Sequence, residues 1–111
     1  MEKKKVLIFN GSPRKNGETA FMIKTLQEEL GEGYECKTVN AYKADIRPCV
    51  DCRWCFTHPG CAIKDEWQEI LSYIEECDHV VMASPVYFEE VTGMLLSVLS
   101  RLQTYFSARY I

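Results

Sequence analysis

Four of the chain's six cysteines lie inside "CVDCRWCFTHPGC", residues 49–61, at C-x2-C-x2-C-x5-C spacing. Thiols gathered this closely can be disulfide staples, zinc ligands, a redox couple or the cage of an iron–sulfur cluster. Three thiolates at x2 spacing can wrap one face of a cuboidal cluster, and a fourth a few residues on can reach the remaining iron. The last gap is five residues and no proline follows Cys61, which suits one local cluster better than a two-cluster ferredoxin run. Structural zinc more often pairs one C-x2-C with a distant second pair. Zinc and thiol–disulfide exchange remain alternatives. Cys36 and Cys77 stand apart and read as small buried hydrophobes.

Two other stretches carry chemistry. "NGSPRKNGET" (10–19) offers hydroxyls at Ser12 and Thr19, cations at Arg14 and Lys15, and glycines at 11 and 17. It leads into a helix, whose free N–H groups favour an anion such as phosphate. The spacing is neither Walker A nor G-x-G-x-x-G, and a polar helix-capping turn uses the same residues. "SPVYF" (84–88) supplies Pro85, Val86 and the rings of Tyr87 and Phe88. These suit a flat aromatic ligand, or else simple core packing. Arg47, Arg53 and Lys64 flank the cysteines and can offset a cluster's charge or stand solvated. His58 reads as an ordinary loop histidine, and Asp65 and Glu66 as helix N-terminal residues. No Ser-His-Asp or Cys-His constellation can be argued from the spacing.

The elements that must position these residues are legible from periodicity. "KKVLIFN" (4–10) is a continuous apolar run, the mark of a strand covered on both faces. Residues 17–30 turn helical, with Met22, Ile23, Leu26 and Leu30 on one side and Gly31 at the end. "YECKTVN" (34–40) alternates as a half-exposed strand. Residues 41–64 show no periodicity over 24 positions, a length that is uncommon in compact domains unless functional. Asp65 caps a helix bearing Trp67, Ile70, Leu71, Ile74 and Cys77, with Gln68 placed for a capping box. "HVVMAS" (79–84) is a third, buried-type strand. Residues 91–105 form a last helix with Val91, Met94, Leu95, Val98, Leu99 and Leu102 on one side.

The order β-α-β-loop-α-β-α implies a parallel α/β sheet with right-handed crossovers. With strand order 2-1-3, the two ligand-type loops face each other at the switch point. The third strand then keeps a free edge, which needs further strands or another chain to cover it.

The bounds are those of one globular domain: 111 residues, 47% hydrophobic, 26% charged, net charge −3. That charge gives no broad preference for nucleic acid or anionic membrane. No stretch reaches a membrane span, and Asn10, Arg14 and Lys15 end the first apolar run too early for a signal peptide. A cytoplasmic address is the default, where thiols stay reduced.

Taken together, "GSPRKNGET", the cysteine loop, "SPVYF" and a helix closing on "SRL" resemble the flavodoxin-like NADPH-dependent FMN reductases, and more narrowly the iron–sulfur flavoproteins. The resemblance covers the N-terminal part of the family's usual length and implies further strands and a cofactor loop after Ile111. It implies a flavodoxin-like fold and FMN, with the phosphate on Ser12, Arg14, Asn16, Glu18 and Thr19. Pro85, Val86, Tyr87 and Phe88 would hold the ring and ribityl region. It further implies a [4Fe-4S] cluster on Cys49, Cys52, Cys55 and Cys61. The resembling family often has lysine and aspartate where this chain has Leu96 and Ser100. Electron transfer between FMN and cluster is the leading expectation, with NAD(P)H or ferredoxin as donor and a homo-oligomeric assembly. The alternatives are an FMN-dependent NAD(P)H:quinone reductase without a cluster, its loop empty or filled by zinc, and a cofactor-free structural or interaction domain.

Overall fold

β1, Lys4–Asn10, is the central strand of a three-stranded sheet in order β2-β1-β3. These are features of a computed structural model that describes residues 3–105. β1 pairs in parallel with β2 (Tyr34–Asn40) from Lys4↔Tyr34 to Asn10↔Asn40. On its other side it pairs in parallel with β3 (His79–Ala83) from Val6↔His79 to Asn10↔Ala83. The expected 2-1-3 order is therefore present.

The unbroken apolar run of β1 follows from burial on both sides, because successive side chains of a strand point to opposite faces. Val6 and Ile8 pack with Ile23 of α1 (Glu18–Leu30), and Leu26, Leu30, Val81 and Ala83 close around them. Leu7 and Phe9 face the other way. They meet Trp67 and Ile70 of α2 (Trp67–Glu76) and Leu95 and Val98 of α3 (Gly93–Leu99). Cys36 and Cys77 are half-buried among apolar neighbours, as their positions suggested.

Several expectations are corrected. β3 is not buried: Val80 is 45% exposed and Met82 50%. Its outer edge carries no partner strand among the described residues, and the face bearing these two side chains lacks cover. Met22 leaves the core face of α1 and is exposed. The last helix is not continuous. It ends at Leu99 and tightens into a 3₁₀ turn at Ser100–Leu102. The capping box is half-formed: Asp65 Oδ1 accepts from Trp67 N at 3.1 Å, whereas Gln68 Nε2 turns to the carbonyls of Cys61 and Ile63. Gln68 thus holds the end of the cysteine loop. Within residues 41–64 the only helical piece is the 3₁₀ turn Trp54–Phe56. No described helix is long and apolar enough to cross a membrane.

Candidate functional site

The two ligand-type loops meet beyond the carboxyl ends of β1 and β3, and their joint is built from short contacts. Gly11 N donates to Ala83 O at 2.8 Å. The fully buried Thr92, N-cap of α3, donates its hydroxyl to Gly11 O at 2.6 Å, and its N–H donates to Ser84 Oγ at 3.1 Å. Only glycine fits at position 11. A Cβ there would stand 2.8 Å from Leu95 Cδ2 and 2.9 Å from Leu95 Cβ. Asn10 shapes the turn that follows, accepting from Ser12 N at 3.0 Å and donating to Asn40 Oδ1 at 2.9 Å. Ser12 Oγ in turn accepts from Arg14 N at 3.2 Å.

Between the loops lies an open cleft of about 740 Å³, within the range of about 300–1,000 Å³ usual for small-molecule sites. Ser12, Arg14, Asn16, Glu18, Thr19, Pro85, Val86 and Tyr87 all line it. Phe88 does not. It is wholly exposed at the tip of a tight turn, where Phe88 and Glu89 have φ of 50° and 63° and Tyr87 bridges Glu90. Sequence reading missed Phe21, Met22 and Ser84 on the cleft wall. The available signal was an apolar pair in the first turns of α1, partly off its core stripe.

The amino end of α1 opens on this cleft. Gly17 occupies the N-cap without a side-chain cap, so the N–H groups of the first turn remain available to an anion. Arg14 adds a cation beside them.

The cysteine loop folds back on the far end of α3. Cys49, Cys52, Cys55 and Cys61 line a single small cavity together with Phe56, Ile63 and Arg101. No disulfide joins any of the six cysteines. Asp51 N donates to Cys49 Sγ at 3.4 Å, its φ of 56° turning the chain back over that sulfur. Among the described residues no three His, Cys, Asp or Glu side chains are gathered closely enough to share one metal ion. The four thiols are brought to one place without being closed into a cage.

Arg101 was not singled out by sequence, yet it organises this cavity. It is 1% exposed. Its Nη1 donates to Asp65 Oδ2 at 2.7 Å and to Arg47 O at 3.0 Å, and its Nη2 donates to Cys61 Sγ at 3.2 Å. The guanidinium also lies 5.8 Å from the Trp67 ring. Burial works against its charge, but the bonds to Asp65 and Cys61 prevail and its pKa lies above the ordinary value. For Asp65, burial pushes upward. The Arg101 bond and the backbone N–H groups of Arg47 and Trp67 outweigh it, and the carboxyl titrates below its usual range. The sequence offered one faint signal, that Arg101 is the one charged residue in 91–105.

The profile of the NADPH-dependent FMN reductase family matches residues 4–111. The chain belongs to that family. Among its relatives, an iron–sulfur flavoprotein of Methanocaldococcus jannaschii is 32% identical over 98 residues, 87% of this chain and 51% of the relative. An iron–sulfur flavoprotein of Archaeoglobus fulgidus is 33% identical over 96 residues, 86% of this chain and 44% of the relative. The chain spans about half the length of these curated relatives. In structure it is similar to RosB crystallised with the flavin 8-demethyl-8-formylriboflavin-5'-phosphate. The TM-score is 0.65 at 28% identity, covering 90% of this chain and 42% of that one. The flavodoxin-like order of the sheet accords with that neighbour.

Proposed function

We propose that this chain is the flavin-binding part of an oxidoreductase in which FMN exchanges electrons with an iron–sulfur cluster. The observation that carries the reading is the shared cleft. Eight of the nine residues assigned to FMN from sequence line one cavity at the strand ends, in a family named for FMN reduction.

The phosphate would rest on the free N–H groups of α1 with Arg14, while Ser12 and Thr19 orient it. Pro85, Val86 and Tyr87 would form the wall for the ring. When bound, the flavin supplies hydride or two-electron chemistry and the protein supplies position and electrostatics. Four thiols line the second cavity, with N–H donors on the sulfurs of Cys49 and Cys61, a donor set whose chemistry suits a [4Fe-4S] cluster. Cys49, Cys52, Cys55 and Cys61 would hold it. A reducing cytoplasm suits such thiols. NAD(P)H or ferredoxin is the electron donor on this reading, and a second subunit completes the electron path.

Visible absorption of anaerobically purified protein, with iron, sulfide and flavin assayed on one sample, tests this. Flavin bands over broad cluster absorption, with about four irons per chain, are expected. Finding neither flavin nor iron overturns the proposal. A second reading, an FMN-dependent NAD(P)H reductase without a cluster, is favoured by a Bacillus subtilis relative. That protein is named as an NAD(P)H-dependent FMN-containing oxidoreductase and is 26% identical over 98 residues. Flavin without iron selects it.

A further inference from the structure

At the end of the last helix, two consecutive residues of the "SRL" stretch grip both ends of the cysteine motif. Ser100 Oγ accepts from Cys49 N at 2.9 Å and donates to Ser97 O at 2.6 Å. Arg101 donates to Cys61 Sγ at 3.2 Å. The 3₁₀ turn at Ser100–Leu102 is what places both side chains on the loop rather than along the core stripe of α3.

We infer that Ser100 and Arg101 form a clamp on the cysteine loop, with Arg101 a positioning residue that sets the reduction potential of the centre held there. The inference rests on the cluster reading above. Three observations carry it. Arg101 is the one buried cation among the described residues. Arg47 and Arg53 keep side-chain exposures of 64% and 66%, so solvent screens them. Arg101 also lines the cysteine cavity, and its buried Nε has no acceptor. A buried donor without a partner is costly. Finally, Asp65 Oδ2 at 2.7 Å, itself 1% exposed, locks the guanidinium from the opposite side.

A fixed positive charge and an N–H bond on a ligand sulfur stabilise the more negative, reduced form of a cluster. They therefore raise its potential. Asp65 offsets part of that charge and holds the fork in one orientation. The clamp also couples the loop to α3, the helix whose N-cap Thr92 ties the cleft loops together.

The test uses the whole chain, reconstituted anaerobically with ferrous iron and sulfide, as wild type, Ser100→Ala, Arg101→Lys and the double variant Asp65→Asn/Arg101→Met. The double variant leaves no unpaired buried charge, and circular dichroism checks that each chain folds. Redox titration should show the midpoint moving negative in the double variant, with Arg101→Lys intermediate. Resonance Raman should show the Fe–S(Cys) stretching bands displaced in both. Ser100→Ala should lose iron to a chelator faster, by about 10-fold. Folded, loaded variants with wild-type midpoint, bands and iron loss overturn the clamp while leaving the cluster reading intact. A wild type that takes up no iron overturns the cluster reading and the clamp with it.

Discussion

Asp65 is where the cysteine loop, α2 and the end of α3 converge. One carboxylate oxygen caps the Trp67 N–H, and the other accepts from Arg101 and from Arg47 N at 3.0 Å. Its pKa lies below the usual range because these donors outweigh burial. A carboxyl depressed on folding contributes stability that is full above its unfolded pKa, about 3.9. That contribution is lost as pH falls through the lower folded value. Asp65→Asn should cost about 3–5 kcal/mol at neutral pH, since it leaves Arg101 buried without its counter-charge. The gap between wild type and variant should close as pH drops below about 4. Urea unfolding at several pH values measures both, and a pH-independent gap would mean that the pair does not act through its charge.

At the scale of elements, the cleft depends on how closely α3 approaches the first loop. Gly11 is the contact point, and the neighbouring atoms include Leu95 Cβ, which cannot swing aside without moving the helix. Gly11→Ala should therefore destabilise the fold by about 1–3 kcal/mol through overpacking. It should also weaken FMN binding, because both cleft walls hang on this joint. Denaturation midpoints and flavin-fluorescence titration test the pair of effects. Unchanged values would show that α3 can retreat freely. The turn at 87–90 bears a different strain. Phe88 and Glu89 are both in the left-handed region, where a non-glycine residue costs about 1–2 kcal/mol. Glu89→Gly should raise stability by a fraction of that, read from the same urea curves.

For the whole molecule, the open side is β3. Val80 and Met82 stand exposed beside a strand edge with no partner among the described residues. Such an edge is a template for pairing with another chain. The 111-residue chain should therefore self-associate at micromolar concentration. Val80→Lys/Met82→Lys should shift sedimentation velocity toward monomer. A monomeric wild type would show that the edge is inert.

How much of this was legible beforehand differs by residue. "KKVLIFN" announced β1 at its observed bounds, because a strand buried on both faces needs an unbroken apolar run and few other structures do. Connection rules implied a parallel sheet with right-handed crossovers, while the 2-1-3 order came with the flavodoxin-like resemblance, and with it the meeting of Ser12–Thr19 and Pro85–Tyr87. The four cysteines, close in sequence, could hardly be far apart in space. What local pattern could not reveal were contacts across many residues. Arg101 lies 40 positions from Cys61 and 36 from Asp65, and no periodicity links them. Phe88 looked like a ligand wall, but the turn geometry at 87–90 sends it to solvent. Val80 and Met82 looked buried because hydropathy records what a strand can bury, and only the packed sheet decides which faces are covered. Residue type and spacing thus determined the strands and the donor sets. Tertiary structure decided which side chain reaches a sulfur, since that depends on where a helix happens to end.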